Sequence, residues 1–262
     1  MFEPVEIIDG DYSKGLVLLC DHASNALPKE YGDLGIGVGE FERHIAYDIG
    51  ARALTVGLAR VLGVPAVLSC FSRLLIDPNR GFDDPTLVRQ LSDGTIIPSN
   101  YPLSSEELLK RQTQFYAPYR GAIDAALQKV RATSTIPAVF SVHSMTHKWN
   151  ETLRPWEVAL LWDKDPRMVT PLFQILGQQH AHLTVGDNQP YDGALIGDTM
   201  YSHCTMNGYA HALLEVRQDL LSKPEDIEGW VNIFAPMLEK VNAMPDIHEV
   251  RKYGSRTGLA SE

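Results

Sequence analysis

The sequence has few cysteines, no long apolar run and no cluster of basic residues, and each absence excludes a class of protein. There are three cysteines, an odd number without any C-x-x-C pair, so we expect a reducing compartment and no disulfide framework. No stretch approaches the roughly 18 apolar residues that a membrane span needs. The first residues are acidic where a signal peptide would be basic. We therefore predict a cytoplasmic protein that does not bind a membrane.

The balance of charge is acidic, because 33 Asp and Glu outweigh 23 Lys and Arg and give a net charge of −10. Without a run of Lys or Arg, such a chain is not expected to bind nucleic acid. Hydrophobic residues make up 44% of the 262, which suffices for a sizeable core. With no repeat and no low-complexity linker, we predict one domain over residues 1–250 and a polar tail at 251–262. The oligomeric state stays open.

Short apolar runs alternate with amphipathic stretches, which is typical of an α/β fold with a parallel sheet. The predicted buried strands are 16–20, 66–71, 138–142, 158–162, 183–185 and 212–216. The predicted helices are 42–62, 106–131, 167–179, 199–206 and 225–243, and Pro118 is expected to kink or divide the second of them. Segment 81–103 is rich in Asp, Pro, Ser and Gly and is predicted to be a long surface loop that binds ligands.

Two histidines each follow an apolar strand, His22 in VLLCDHASN and His143 in AVFSVHSM. In open α/β sheets, ligands bind beyond the carboxyl ends of the strands. The matching contexts favour neighbouring positions at this edge, where the ring nitrogens would bind a metal ion. The alternative is that the polar residues around each histidine only form turns and caps.

Glu215 interrupts the apolar run LLEVR. A carboxylate inside a strand is costly to bury unless it is paired, and burial raises its pKa towards the range of a general base. We favour that role. The alternative is an ion pair with Arg217, whose side chain points to the same side of the strand.

The segment SRLLIDPNR places Arg73 and Arg80 around Asp77 and Asn79. Guanidinium groups bind carboxylates through two parallel hydrogen bonds, which indicates an anionic substrate. Structural salt bridges to Asp77 or Asp83 are the alternative. A metal site, a buried carboxylate and a clamp for a substrate carboxylate together predict a metal-dependent hydrolase.

The order of these motifs resembles that of the N-formylglutamate amidohydrolase family over roughly residues 15–245. The resemblance rests on HASNALP, HIAYDIGA, SRLLIDPNR, SVHSM, NQPYDG and LLEVRQD, of which SRLLIDPNR and NQPYDG are the most specific. More distantly, the chain resembles the zinc carboxypeptidases. These resemblances imply a three-layer α/β fold with a mostly parallel mixed sheet. They also imply an enzyme that hydrolyses the N-acyl amide of an acidic amino acid, such as N-formylglutamate.

The resemblance also implies residue roles. It implies zinc, which spacing alone does not distinguish from another divalent metal, with His22 and His143 as ligands and Glu215 as the catalytic base. Its implied partner is a small anionic amide substrate. The predicted substrate-binding residues are Arg73, Asn79, Arg80, Asn188, Tyr191 and Arg217.

The chain departs from the related patterns at two positions. Asn25 stands where the carboxypeptidases have a metal-binding glutamate, so Asp48 is predicted as the third ligand and His44, one helical turn before it, is a lesser candidate. Arg120 stands where the amidohydrolase family has histidine. The alternatives are therefore a carboxypeptidase-like peptidase, a deacylase of another N-acyl amino acid, or a metal-free module that binds an acidic metabolite.

Overall fold

The computed structural model describes residues 2–149 and 152–258. The main sheet formed by these residues has seven strands: β1 (Val5–Ile8), β2 (Leu16–Cys20), β3 (Ala66–Ser69), β4 (Ala138–Met145), β5 (Val158–Leu161), β6 (Val185–Asp187) and β7 (Ala210–Arg217). Their order across the sheet is β1-β3-β2-β4-β7-β5-β6. The pairs β1–β3 and β5–β7 are antiparallel, and the other neighbours are parallel. The prediction of a mostly parallel mixed sheet is confirmed. The sheet also contains an edge strand, β1, that was not predicted.

Helices cover both faces of this sheet. They are α1 (Ala51–Leu62), α2 (Ser105–Arg111), α3 (Ala117–Ala132), α4 (Val169–Gln179), α5 (Thr199–His203) and α6 (Pro224–Asn242). Successive side chains of a strand point to opposite faces, so Phe140 packs with α1, α4 and α6, whereas Val139 packs with α3. The three-layer α/β architecture is therefore confirmed.

The prediction of one helix over residues 42–62 is wrong in its first part, because α1 begins only at Ala51. Gly50 has a φ of 82°, a left-handed conformation that a continuous right-handed helix excludes. The residues before it form turns and a short 3₁₀ helix, Val38–Glu42. His44 and Asp48 consequently lie on a loop, and their helical spacing does not place them on one face.

The long helix predicted over 106–131 is present as α2 and α3, joined by a π-helical segment at Gln112–Tyr116. Proline has no N–H, so Pro118 leaves a carbonyl of the preceding turn without its usual donor, and the helix changes its hydrogen-bond pattern just before it. The segment 81–103 is not without secondary structure, since Leu91–Ser92 pairs with Thr95–Ile96 in a small hairpin.

The end of the chain is partly held by contacts. Arg256 donates to the carbonyl of Trp162 at 2.6 Å and to Asp163 at 3.3 Å, so residues near 256 pack on the end of β5. The last four residues of the predicted tail, 259–262, lie outside the described residues. Within the described part of the chain, no helix has both the length and the apolar character to cross a membrane.

Candidate metal centre and active site

Three neighbouring parallel strands bring the predicted site residues together. Glu215 of β7 lies opposite His143 of β4, and Leu19 of β2 lies opposite Ser141. Continuing that register beyond β2 places Asp21 level with His143, and His22 follows. Parallel neighbours are about 4.8 Å apart, so side chains at the same level of adjacent strands are within contact distance.

His22, Asp48 and His143 form a buried group. The Oδ2 atom of Asp48 lies 2.8 Å from Nδ1 of His143 and 3.4 Å from Nδ1 of His22. One nitrogen or oxygen of each residue lies within 4.8 Å of the others, which is a separation that one metal ion can bridge. Two imidazoles and a carboxylate, leaving a position for water, are the donor set of many catalytic zinc sites.

A backbone hydrogen bond holds Asp48 beside His22. The N–H of Asp48 donates to the carbonyl of His22 at 2.9 Å, although the two residues are far apart in sequence. Asn25, at the position of the carboxypeptidase glutamate, instead donates to the carbonyl of Phe41 at 2.8 Å. The carboxylate of the group therefore comes from the loop before α1.

A second carboxylate orients each histidine. Nε2 of His22 donates to Oδ1 of Asp77 at 2.7 Å, and Nε2 of His143 donates to Oδ2 of Asp21 at 2.9 Å. A histidine that binds a metal through one ring nitrogen commonly donates the other N–H to a carboxylate, which fixes the ring and its tautomer. Both rings are thus held with Nδ1 towards Asp48, and the residues present fit a divalent cation.

Asp21 is fully buried and accepts hydrogen bonds from several elements. Besides His143, its donors are Ser141 on β4 at 3.0 Å, the Tyr119 hydroxyl on α3 at 3.0 Å and the Thr199 hydroxyl on α5 at 2.6 Å. Burial alone would raise its pKa, but the hydrogen bonds from His143 and Thr199 and the charges of the His143 and His22 imidazoles hold the pKa well below its usual range. This role of Asp21 and Asp77 was not predicted from the sequence. For Asp21 the one signal was an acid directly after a strand and before a histidine.

The same carboxylates make the centre attractive to a cation. Although burial lowers the pKa of His143, its contacts with Asp21 and Asp48 raise that pKa well above 6.5. A positive charge is therefore favoured between these groups, whether a proton on the imidazole or a metal ion provides it.

Glu215 lies next to this centre and is buried, with 6% of its surface exposed. Its Oε2 atom has no hydrogen-bond partner among the described residues, and burial raises its pKa to about 7. Arg217, the alternative partner, pairs with Asp219 at 2.8 Å. A carboxyl group with a raised pKa and a free oxygen is suited to accept and return a proton.

The centre opens into a cleft of about 520 Å³. Four of the six predicted substrate-binding residues line it: Arg73, Asn79, Arg80 and Tyr191. Arg217 and Asn188 are not among the described residues that line the cleft. The Oδ1 atom of Asn188 accepts from the backbone nitrogens of Trp162 and Gly193 at 2.9 and 3.0 Å, so Asn188 shapes the loop that carries Tyr191.

Tyr191 is held by Arg154, a residue that the sequence motifs do not indicate. Arg154 donates to the Tyr191 hydroxyl at 2.8 Å, and its guanidinium lies 5.0 Å from the centre of the tyrosine ring. The loop also approaches β5 so closely that a Cβ at Gly193 would overlap the backbone nitrogen of Trp162. These contacts fix the position of Tyr191 at the cleft.

Arg73 is engaged in ion pairs with the centre. It binds Oδ2 of Asp77 at 2.9 Å and Oδ1 of Asp48 at 3.3 Å. The salt bridge to Asp77 considered from the sequence is therefore present, and Arg73 also lines the cleft. Arg120, where the sequence departs from the family pattern, reaches the carbonyls of Pro78 and Asp198 at 3.4 Å and is not among the described residues lining the cleft.

A three-layer α/β fold with histidines and carboxylates in a cleft beyond the strand ends is an arrangement typical of hydrolytic enzymes. The family model for N-formylglutamate amidohydrolase matches residues 14–222, and the chain belongs to this family. The comparison with curated proteins gives no match.

Two solved structures share the fold. A gene product of Agrobacterium tumefaciens is 26% identical, with a TM-score of 0.85 over 92% of this chain and 95% of that chain. An N-formylglutamate amidohydrolase from Ralstonia eutropha is 20% identical, with a TM-score of 0.69 over 91% of this chain and 97% of that chain.

Proposed function

We propose that this chain is a cytoplasmic, zinc-dependent amidohydrolase that cleaves the N-acyl amide of an acidic amino acid such as N-formylglutamate. The observation that carries the proposal is the His22–Asp48–His143 group, with a carboxylate behind each histidine and Glu215 beside it. Family membership supplies the reaction class. The nitrogen and oxygen donors suit zinc and also other divalent ions.

The reaction adds water across the amide bond. A divalent ion held by His22, Asp48 and His143 would polarise the amide carbonyl and make a bound water more acidic. Glu215 accepts a proton from the attacking water as the water oxygen bonds to the acyl carbon. Glu215 then returns that proton to the nitrogen as the carbon–nitrogen bond breaks, which yields a carboxylic acid and a free amino acid.

The cleft orients the substrate for this step. Arg80 and Asn79 line it and are proposed to bind the α-carboxylate of the amino acid. Tyr191 lies on a fixed loop at the cleft, where it shields the amide from bulk water. Positioning of this kind contributes to the rate because the reacting groups are held in contact before the reaction begins.

Metal content and hydrolysis, measured on the same purified samples, test this proposal. The wild type is compared with His143→Ala and with His182→Ala, which removes an exposed histidine outside the cleft. We expect about one metal ion per chain and release of formate from N-formylglutamate in the wild type and in the control, with both lost in His143→Ala. A wild type that binds no divalent metal when zinc, manganese or cobalt is supplied would refute the mechanism.

A further inference from the structure

Among the described residues, three guanidinium groups line the cleft: Arg73, Arg80 and Arg89, here called the arginine cluster. Their side chains are 15%, 18% and 25% exposed. Arg89 lies in segment 81–103, which the sequence predicted to be a ligand-binding loop, yet it has no part in the proposed reaction. The contacts of the Arg89 guanidinium with neighbouring carboxylates indicate its role.

The carboxylate nearest to Arg89 already has other partners. Nη2 of Arg89 is 3.8 Å from Oδ2 of Asp77, whereas Arg73 binds that same oxygen at 2.9 Å and His22 binds the other at 2.7 Å. The Nε atom of Arg89 is buried and has no hydrogen-bond partner among the described residues. Arg89 thus presents a positive charge that the protein compensates only weakly.

Electrostatics agree with this geometry. Burial and the neighbouring Arg73 lower the pKa of Arg89 to about 10, in spite of the favourable effect of Asp77. In contrast, the pKa of Arg73 is raised, since Asp77 and Asp48 more than offset its burial. A cation in a cleft whose charge is disfavoured without a ligand is a candidate site for an anion.

The arginine cluster carries more positive charge than one substrate carboxylate would neutralise. Arg80 is placed by Asn79 and Thr86, with Asp84 at 4.0 Å, and is free to bind the α-carboxylate. An N-acylated glutamate or aspartate carries a second carboxylate on its side chain. Arg89, whose charge is only weakly compensated by Asp77 at 3.8 Å, offers that group a charge-assisted hydrogen bond.

We propose that Arg89 binds the side-chain carboxylate of the substrate and thereby selects acidic amino acids. This inference rests on the proposed function. A neutral side chain of the same size would leave Arg89 partly desolvated without its anion, and a hydrogen bond to a charged group is worth a factor of roughly 10 to 100. N-formylglutamine, which differs from N-formylglutamate only by an amide in place of the carboxylate, is the matched neutral substrate.

The test compares kcat/KM for these two substrates in the wild type, Arg89→Gln, Arg89→Lys and the control Arg60→Gln, whose arginine is exposed on α1. We expect the wild type and Arg60→Gln to prefer the glutamate substrate. In Arg89→Gln this preference falls by about 10- to 100-fold, mainly through KM. Arg89→Lys keeps the charge but not the planar donor geometry, so it retains part of the preference. An equal loss on both substrates, or a wild type without preference, would overturn the role of Arg89.

A binding measurement separates this inference from the proposed function. Calorimetric titration with L-glutamate and L-glutamine reads the same carboxylate without requiring hydrolysis. Preferred binding of L-glutamate that Arg89→Gln abolishes supports the site even when neither formyl amide is cleaved, in which case only the proposed reaction fails. Equal binding of the two amino acids by the wild type refutes the site.

Discussion

Replacing Asp77 with Asn should weaken metal binding without removing any proposed ligand. Asp77 is fully buried, and its Oδ1 atom accepts from Nε2 of His22 at 2.7 Å. Asparagine has nearly the same shape and keeps an oxygen for this bond, but it removes the negative charge that makes the imidazole a stronger ligand. Loss of such a carboxylate typically costs 10- to 100-fold in metal affinity, or about 1.4 to 2.7 kcal/mol.

The dissociation constant would be measured by competition with a chromophoric chelator in the wild type, Asp77→Asn and Asp83→Asn. Asp83 is an exposed acid of the neighbouring segment 81–103 and serves as the control. Asp21→Asn should give a loss similar to that of Asp77→Asn, because Asp21 supports His143 in the same way at 2.9 Å. Wild-type affinity in both buried variants, with the fold retained by circular dichroism, would refute the proposed arrangement of carboxylate, histidine and metal.

Three further changes test other parts of the molecule. Glu215→Gln should lower kcat by about 10²- to 10⁴-fold while metal content is retained, because glutamine cannot accept the proton of water. Burial raises the pKa of Asp198 from 3.8 to about 7, so the folded protein keeps a proton that the unfolded chain has lost. Its contribution to the free energy of unfolding is complete below about pH 4 and decreases by about 1.4 kcal/mol per pH unit as the pH rises towards 7. Asparagine can still cap α5, so Asp198→Asn should remove this decrease, as measured by denaturant titration at several pH values. Gly193→Ala should raise KM, because its Cβ would displace the loop that carries Tyr191.

Each of these changes has a contrary outcome. Retained hydrolysis in Glu215→Gln would assign the base to another residue. The raised pKa of Asp198 would be contradicted if the difference in unfolding free energy between the wild type and Asp198→Asn were the same at pH 4 and pH 7. For Gly193→Ala the control is Gly177→Ala on α4, where a Cβ meets nothing within 4 Å and alanine should stabilise the helix by about 0.5–1 kcal/mol. An unchanged KM in Gly193→Ala would show that the loop does not position the substrate.

The sequence predicted the layered α/β fold because its apolar periodicity reflects local geometry. Strands buried on both faces are continuous apolar runs, and β2 coincides with the predicted 16–20. The start of α1 was wrong for an equally local reason: residues 42–50 have helical spacing, but the left-handed backbone at Gly50 prevents them from continuing the helix. Spacing alone therefore placed Asp48 on a helix, whereas the fold holds it on a loop against His22.

The sequence by itself identified His22, His143 and Glu215 as candidates. Each is a polar residue within or just after an apolar strand, where burial is costly unless the residue is paired or takes part in catalysis. The tertiary structure decided the rest. Only strand order and register bring Glu215 beside His143, and only three-dimensional contacts reveal that Asp21 and Asp77 orient the imidazoles. The role of Arg89 also depends on tertiary contacts. Its nearest carboxylate, Asp77, already pairs with Arg73 and His22. This competition for one partner cannot be predicted from the spacing of residues along the chain.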